Sequence, residues 1–177
     1  MNIPNNAPTP VDMTDADRAF MREAIALAEE AAAADEVPVG ALIVRDGVVL
    51  SRAVNTRERS KCATHHAEIL AIEEACRILG GWRLPGVTLY VTMEPCVMCA
   101  GAIVNARIPR VVYGTPDLRF GAFGSLLDIA ALPLNHRPHV TGGVLSDEAR
   151  GVLQCYFRRK RGRTSTEDPP EDTSGKE

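Results

Sequence analysis

The hydrophobic positions of the chain follow a helical period first and a strand pattern next. Apolar residues recur at helical spacing over roughly 15–34, directly after Thr14, which is a suitable N-cap. Two apolar runs follow, 39–44 and 48–53, separated by a turn that contains Asp46-Gly47. Asp-Gly between two apolar runs is a strong hairpin signal. The first third of the chain therefore predicts one helix followed by a β-hairpin.

Beyond the hairpin, helical and strand patterns alternate. The pattern predicts helices over 66–79, about 96–106 and 146–160, and strands over 87–92, 110–113 and 140–144. This order predicts a layered α/β domain built on a central sheet of five strands. Because the sheet begins with a hairpin, we expect it to be mixed rather than wholly parallel.

The two ends of the chain lack any such periodicity. Residues 1–13 contain three prolines, three Asn and one Thr, and they are predicted to be a disordered leader. Residues 162–177 are polar, acidic and proline-bearing, and they are predicted to be a disordered acidic tail. One folded domain is therefore expected over 14–161, with no internal repeat.

Charge and composition narrow the class of protein only slightly. The chain has a net charge of −3, and the segment 162–177 alone accounts for that value, so residues 1–161 are close to neutral. Any nucleic-acid contact therefore depends on a local basic patch. Five cysteines, two of them at metal-ligand spacing, argue against a disulfide framework and for a reducing cytosol. With no signal-peptide pattern and no apolar run long enough to span a bilayer, we expect a cytoplasmic protein without a membrane partner.

Two short stretches carry the candidate chemistry, His-Ala-Glu at 66–68 and Pro-Cys-x-x-Cys at 95–99. His66, Cys96 and Cys99 offer one nitrogen and two sulfurs to a tetrahedral metal, which leaves a fourth position for water. This donor set favours Zn²⁺ over harder cations. Glu68 is better suited to moving protons than to binding the metal. A carboxylate beside an open zinc site is what a hydrolytic deaminase requires.

Cys-x-x-Cys alone also fits half of a structural zinc site or a redox pair. A structural zinc site normally has four protein ligands, and the remaining histidines and cysteines form no second paired motif. His65 is adjacent to His66, but only His66 has a glutamate two positions later, so His65 is expected on the solvent or substrate side. Both motifs are predicted at helix N-termini, where the backbone N–H groups lower thiol pKa values. These points favour a reactive site with an activated water.

Longer blocks around the two motifs resemble a known family. The matching blocks are 36–41, 90–102, 121–128, 134–136 and 157–158. Together with His-Ala-Glu they resemble the bacterial tRNA-specific adenosine deaminases of the cytidine-deaminase-like zinc superfamily. The resemblance covers about 14–161. It implies a three-layer α/β/α cytidine-deaminase-like domain with a central mixed five-stranded sheet.

The resemblance also implies a reaction. The expected activity is hydrolytic deamination of adenosine to inosine at the wobble position of a tRNA anticodon loop, that of an arginine tRNA. One Zn²⁺ per subunit is expected at His66, Cys96 and Cys99, with Glu68 as the catalytic proton carrier. The family is typically a homodimer in which both subunits contact the tRNA, so a homodimer is expected here.

Five residues are implied as substrate contacts by the same resemblance. Asn55 is expected to contact the flipped nucleoside, Asp117 and Arg119 the neighbouring loop nucleotides, and Phe157 with Arg158 the far side of the groove. By residue type alone, Asn55 is also a turn former, the two loop charges are ordinary, and Phe157 fits a core. The basic run that starts at Arg158 is typical of phosphate binding and equally of a stabilised helix C-terminus.

The chain departs from the family's usual residues at several positions near the substrate. Cys62 and His65 differ from the usual Asp-Pro-Thr-Ala before His-Ala-Glu, Arg119 replaces a lysine, and Phe120 replaces a small residue. Arginine keeps the charge of lysine but changes the donor geometry. These departures concern substrate contacts and leave the predicted ligands and Glu68 intact.

Two other functions fit parts of the pattern. One is a deaminase of a free base or nucleoside, of the guanine or cytosine type, which would not need the loop 114–125 or the basic end of the last helix. The other is a zinc-stabilised RNA-binding module without catalysis. Such a module would have no use for Glu68.

Overall fold

The computed structural model describes residues 13–164 of the 177-residue chain. Almost all of the predicted leader and tail, 1–12 and 165–177, lies outside the described residues. The helices are α1 (Asp15–Ala33), α2 (Arg57–Ser60), α3 (Ala67–Leu79), α4 (Val97–Asn105) and α5 (Ser146–Thr164), and a 3₁₀ turn spans Ile129–Ala131. The strands are β1 (Gly40–Arg45), β2 (Val48–Val54), β3 (Val87–Met93), β4 (Arg110–Thr115) and β5 (His139–Thr141).

The five strands form one open sheet in the order β2-β1-β3-β4-β5. β1 runs antiparallel to both β2 and β3, whereas β3, β4 and β5 are parallel to one another. The prediction of a mixed five-stranded sheet that begins with a hairpin is therefore confirmed. In parallel strands the carboxyl ends share one edge of the sheet, so β3 and β4 deliver the segments that follow Met93 and Thr115 to the same place.

Helices cover both faces of the sheet. In β1, Leu42 and Val44 belong to the core cluster that includes Met21 of α1, while Ala41 and Ile43 belong to the cluster with α3 and α4. This alternation is the two-residue period of a strand that is buried on both sides. α5 packs beside α1 and against β4. The expected three-layer α/β/α architecture is confirmed.

A buried carboxylate connects α1 to the sheet. Thr14 caps α1 by accepting a hydrogen bond from the Asp17 N–H, and the Asp17 carboxylate accepts one from the Thr14 N–H in return. Asp17 also accepts hydrogen bonds from the Arg110 guanidinium of β4 (2.6 Å) and the Tyr90 hydroxyl of β3 (2.8 Å). Burial alone would raise the pKa of Asp17, but the hydrogen bond from Arg110, with those from Thr14 and Tyr90, holds it well below its usual range.

The element boundaries differ from the predicted ones at a few places. α2 lies in the predicted polar loop, and α5 continues to Thr164, beyond the expected domain boundary at 161. β5 ends at Thr141, and the φ of +86° at Gly143 takes the chain out of the extended conformation predicted over 140–144. α4 is apolar nearly all round, which predicts a fully buried helix, yet Val97 at its start is 48% exposed. No helix within the described residues is long and apolar enough to cross a membrane.

Candidate active site

The three predicted metal ligands lie at the N-termini of two helices. His66 is the N-cap of α3 and Cys96 the N-cap of α4, both in extended conformations, and Cys99 lies in the first turn of α4. The pattern places Cys96 inside the first turn, and the structure places it one position earlier. A side chain at an N-cap reaches beyond the helix end instead of lying along its side. The two loop-to-helix junctions therefore bring one imidazole and two thiols together.

The distances between the donor atoms fit a tetrahedral zinc ion. The Nδ1 atom of His66 lies 3.7 Å from the Cys96 Sγ and 3.6 Å from the Cys99 Sγ. Ideal Zn–N and Zn–S bonds at the tetrahedral angle would separate such atoms by about 3.6 Å. Among the described residues, these three form the one cluster suited to holding a metal, with all donor atoms within 4.8 Å of one another.

The surroundings of the two thiols shift their pKa values in opposite directions. A hydrogen bond from the Cys99 thiol, helped by His66, lowers the pKa of Cys96 to about 4. The same hydrogen bond, together with burial, raises the pKa of Cys99. The surroundings of Cys96 therefore favour the thiolate, which is the form of cysteine that binds zinc.

Glu68 lies beside the ligands without joining them. It sits in the first turn of α3, is 4% exposed, and still borders the open cleft described below. Burial raises the pKa of Glu68, although a hydrogen bond with Cys99 and the nearby His66 act in the opposite direction. A carboxyl group with a raised pKa gives up and regains a proton more readily near neutral pH, which suits it to general acid–base work.

A cleft of about 1030 Å³ opens above the metal cluster. His66, Glu68 and Cys96 line its floor, whereas Cys99 is fully buried behind them. All of the residues predicted to contact substrate line this same cleft: Asn55, Asp117, Arg119, Phe157 and Arg158. The structure thus brings together positions that are more than 100 residues apart in the sequence.

Asn55 owes its orientation to a residue that sequence reasoning missed. Its side-chain amide donates a hydrogen bond to the carboxylate of Glu36, which is 1% exposed (3.2 Å). Glu36 also accepts from the backbone N–H groups of Glu58 (3.0 Å) and Arg59 (2.6 Å) in α2. One buried carboxylate therefore fixes both Asn55 and the helix beside it. Glu36 begins the block 36–41 that carries part of the resemblance, but no pattern in the sequence shows which partners it has.

Sequence reasoning also missed a second buried glutamate, which holds the loop after β4 at the cleft. Glu94 follows β3 directly and is 2% exposed. Its carboxylate accepts hydrogen bonds from the N–H groups of Asp117 (3.1 Å), Phe123 (2.9 Å) and Ser125 (3.1 Å), and from the Ser125 hydroxyl. Four donors on one carboxylate tie the loop that carries Asp117 and Arg119 to the end of the strand that precedes Cys96.

The basic run at the end of α5 splits between two surfaces. Arg158 and Arg161 line the cleft. Arg159 donates to the carbonyl oxygen of Ala32 (3.0 Å), and Lys160 donates to the carboxylate of Asp35 (2.7 Å), both at the C-terminal end of α1. One pair of the run therefore lines the cleft, and the other pair contacts the C-terminal end of α1.

The positions that depart from the family pattern are also placed by the structure. Phe120 lines the cleft and is 65% exposed. Cys62 is half-buried with its thiol beside the Thr64 hydroxyl (3.3 Å). His65 is half-buried and, within residues 13–164, is not among those that line the cleft. Among these departures, Phe120 and Arg119 are the ones that face the cleft.

Comparison with known proteins supports the zinc-dependent deaminase family that the sequence resembles. The family model of the cytidine and deoxycytidylate deaminase zinc-binding region matches residues 14–115. The chain is 46% identical over 146 residues to the tRNA-specific adenosine deaminase of Bacillus subtilis, a match that covers 82% of this chain and 91% of that protein.

Solved structures support the same family. A structure from a study of A-to-I editing by tRNA:A34 deaminases at the wobble position of transfer RNA has a TM-score of 0.74 and 44% identity, and the match covers 76% of this chain and 99% of that one. The guanine deaminase of Bacillus subtilis is less similar, with a TM-score of 0.56 and 31% identity over 82% of this chain and 95% of that one. The expected zinc cofactor is confirmed by the family match together with the fit of the donor atoms. The chain therefore belongs to the zinc-binding cytidine and deoxycytidylate deaminase family, on its branch of tRNA-specific adenosine deaminases.

Proposed function

We propose that the protein hydrolyses the amino group of adenosine 34, at the wobble position of a tRNA anticodon loop, and leaves inosine and ammonia. The observation that carries the proposal is the pairing of a zinc-ligand cluster and a buried glutamate with an arginine-bordered cleft. The arginines that line the cleft are Arg57, Arg119, Arg150, Arg158 and Arg161. The identity with tRNA-specific adenosine deaminases supports the same substrate class.

The charge of the cleft favours an RNA over a free base. The chain as a whole is acidic, with a net charge of −3, so a border of arginines is a local feature. Arg57 and Arg150 pair with the carboxylates of Glu58 (3.0 Å) and Asp147 (3.4 Å), but such exposed pairs are weak and exchange readily with phosphate. A free guanine or cytosine has no phosphates for these side chains to bind. The arginines that line the cleft therefore have a role if the substrate is an RNA and none if it is a free base.

The chemistry follows from the residues on the floor of the cleft. Zinc held by His66, Cys96 and Cys99 would supply the Lewis acidity that makes water nucleophilic at neutral pH. Glu68 would take a proton from the attacking water and deliver it to N1 of the purine ring. It would then pass the second proton to the 6-amino group, which leaves as ammonia while the new C6–O bond remains. A carboxyl group with a raised pKa is suited to both transfers.

The walls of the cleft would hold the flipped nucleoside and its neighbours. Asn55, oriented by Glu36, would hydrogen-bond to the target nucleoside, and Asp117 with Arg119 would contact the adjacent loop nucleotides. Phe157 and Arg158 would contact the RNA from α5. A base in a single-stranded loop is cheap to flip because little stacking is lost.

We further propose that two copies pair through an apolar patch beside α4. Val97 is 48% exposed, and α4 contacts the 3₁₀ turn Ile129–Ala131. Four leucines flank that turn and are 39–53% exposed: Leu126, Leu127, Leu132 and Leu134. An exposed apolar patch of this kind is typical of an interaction surface. Light scattering on the wild type should give a dimer mass, and Leu127→Asp should lower it, whereas a monomeric wild type would contradict the pairing.

The arginine tRNA, the cytoplasmic location and the domain limits 14–161 stay predictions from the sequence. The central experiment incubates purified holoprotein with an anticodon stem-loop and, separately, with free adenosine, guanine and cytosine. We expect inosine at position 34 of the stem-loop and no turnover of the free compounds. Rapid turnover of a free base with an unchanged stem-loop would favour the small-substrate alternative instead.

A further inference from the structure

Phe120 is a large aromatic side chain held in the open at the edge of the cleft. It is 65% exposed, lines the cleft, and follows Arg119, which lines it too. Phe157 of α5 lines the same cleft and is 43% exposed. Leaving an aromatic ring in water forgoes the stabilisation that its burial would bring. A partner bound in the cleft would cover this ring.

Hydrogen bonds fix the backbone of the loop that carries Phe120. The Asp117 side chain accepts hydrogen bonds from the backbone N–H groups of Arg119 (2.9 Å) and Phe120 (3.2 Å). The N–H of Asp117 itself donates to the buried Glu94 carboxylate (3.1 Å), and the Gly121 N–H donates to the Asp117 carbonyl (2.9 Å). These four bonds fix the backbone on both sides of the ring. Because this backbone is already ordered, little conformational entropy is lost when a ligand binds to the ring.

We propose that Phe120 is a stacking platform for a nucleobase that flanks the target adenosine, and hence a substrate-binding residue of this chain. The proposal rests on the proposed function, since it needs an RNA in the cleft. Flipping one nucleotide removes the stacking partner of its neighbours, so their faces are available to an aromatic side chain. Stacking accepts any base, and Arg119 beside the ring adds a positive charge to the same part of the cleft.

The test measures stacking directly. The stem-loop carries purine riboside at the target position, which has no amino group to lose, and the fluorescent base 2-aminopurine on its 5′ or its 3′ side. Binding to the wild-type holoprotein should quench the fluorescence at one of the two flanking positions. Phe120→Ala should relieve the quenching and raise the Kd by about five- to a hundredfold.

Two further variants separate stacking from simple hydrophobic contact. Phe120→Trp keeps an aromatic face and should keep the quenching, whereas Phe120→Leu keeps apolar bulk and should lose it. Trp82→Ala is the matched control, because Trp82 is also exposed (59%), also adjoins an arginine, and lies outside the residues that line the cleft. It should leave quenching and Kd unchanged.

The outcomes distinguish this proposal from the function on which it rests. If the wild type fails to deaminate an unmodified stem-loop, the proposed function is wrong. If it deaminates the stem-loop but Phe120→Ala leaves quenching and Kd unchanged, the stacking role is wrong. A mass that falls from dimer to monomer in Phe120→Ala would assign the ring to a second copy of the chain and would overturn the proposal as well.

Discussion

Gly121 lies directly against the carboxylate of Glu94, so closely that a Cβ at position 121 would meet a carboxylate oxygen at 2.5 Å. The carbonyl oxygen of Asp117 would lie at the same distance on another side. Glycine is therefore required here by the space available, since the chain must pass over a buried acid that binds its backbone. Cys96 forms an antiparallel bridge with Gly121, so this contact also adjoins the metal site.

The first prediction concerns that contact. Gly121→Ala forces the loop away from Glu94, because the added Cβ would overlap both the backbone of Asp117 and a carboxylate that is held by hydrogen bonds. Overpacking of this kind costs about 1–3 kcal/mol, and the displaced loop should raise KM for the stem-loop more than it lowers kcat. Steady-state kinetics measures the split. Gly151→Ala, where nothing lies within 4 Å of the added Cβ, is the control and should retain wild-type KM.

The second prediction concerns Glu36. Glu36→Ala removes the acceptor for the Asn55 amide and for two backbone N–H groups of α2. Because unpaired buried donors are costly, the free energy of unfolding should fall by at least about 2 kcal/mol, and deamination should fall with it. Urea unfolding and the stem-loop assay measure both quantities. Glu36→Gln keeps one acceptor oxygen and should be milder, while Glu29→Ala, on the exposed side of α1, should match the wild type.

The third prediction separates the metal ligands from the proton carrier. Cys96→Ser should reduce bound zinc and activity together, since it removes a thiolate donor at 3.7 Å from the His66 Nδ1. Glu68→Ala should retain stoichiometric zinc and lose deamination. Metal analysis of the purified variants, beside the stem-loop assay, decides the roles. Loss of zinc in Glu68→Ala would show that the glutamate holds the metal or the fold instead.

The fourth prediction uses the split of the basic run on α5. Arg158→Ala should weaken stem-loop binding and reduce the slope of log Kd against log salt by about one, as expected for one lost phosphate contact. Arg159→Ala removes the bond to the Ala32 carbonyl (3.0 Å) and should leave that slope unchanged. Binding titrations at several salt concentrations measure the difference. A slope for Arg158→Ala equal to that of the wild type would show that Arg158 does not contact phosphate.

The fifth prediction follows from Asp17 and gives the pH dependence of stability. The pKa of this buried carboxyl is lowered in the folded state, so its contribution to stability is present above the unfolded pKa of about 3.9. That contribution is lost as the pH falls further toward the folded pKa. Asp17→Asn should therefore be clearly less stable than the wild type at pH 7, and the gap should narrow below about pH 4. Urea midpoints at pH 7, 5 and 3 measure the gap, and a constant gap would contradict the linkage.

The sequence predicts most of the fold because each main element has a local signal. Helical spacing ahead of Gly80 and the Asp46-Gly47 turn both act over a few residues, so their consequences can be derived before any contact is known. The ligand set is equally local, since His66 and Glu68 share one motif and Cys96 and Cys99 share another. The chemistry of that donor set then favours zinc over harder cations.

What the sequence does not reveal is set by contacts between distant segments. Glu36 and Glu94 read as ordinary acidic residues, and only the folded chain shows that each is buried against backbone donors more than 20 residues away. The exposed side of α4 escapes prediction for a related reason. An apolar stretch predicts that its side chains are buried in the core of the chain. Val97 lies in such a stretch and is nevertheless 48% exposed.

The bonds between α5 and the end of α1 bear on the kinetics of RNA recognition. The Tyr156 hydroxyl donates to the Asp35 carbonyl (3.1 Å) and Lys160 to the Asp35 carboxylate (2.7 Å), on the side of α5 away from the cleft. The helix that presents Phe157 and Arg158 is thus ordered before any RNA arrives. Because binding then needs no folding step, the association rate is set by diffusion and electrostatic steering. Differences in affinity between anticodon loops should therefore appear mainly in the dissociation rate.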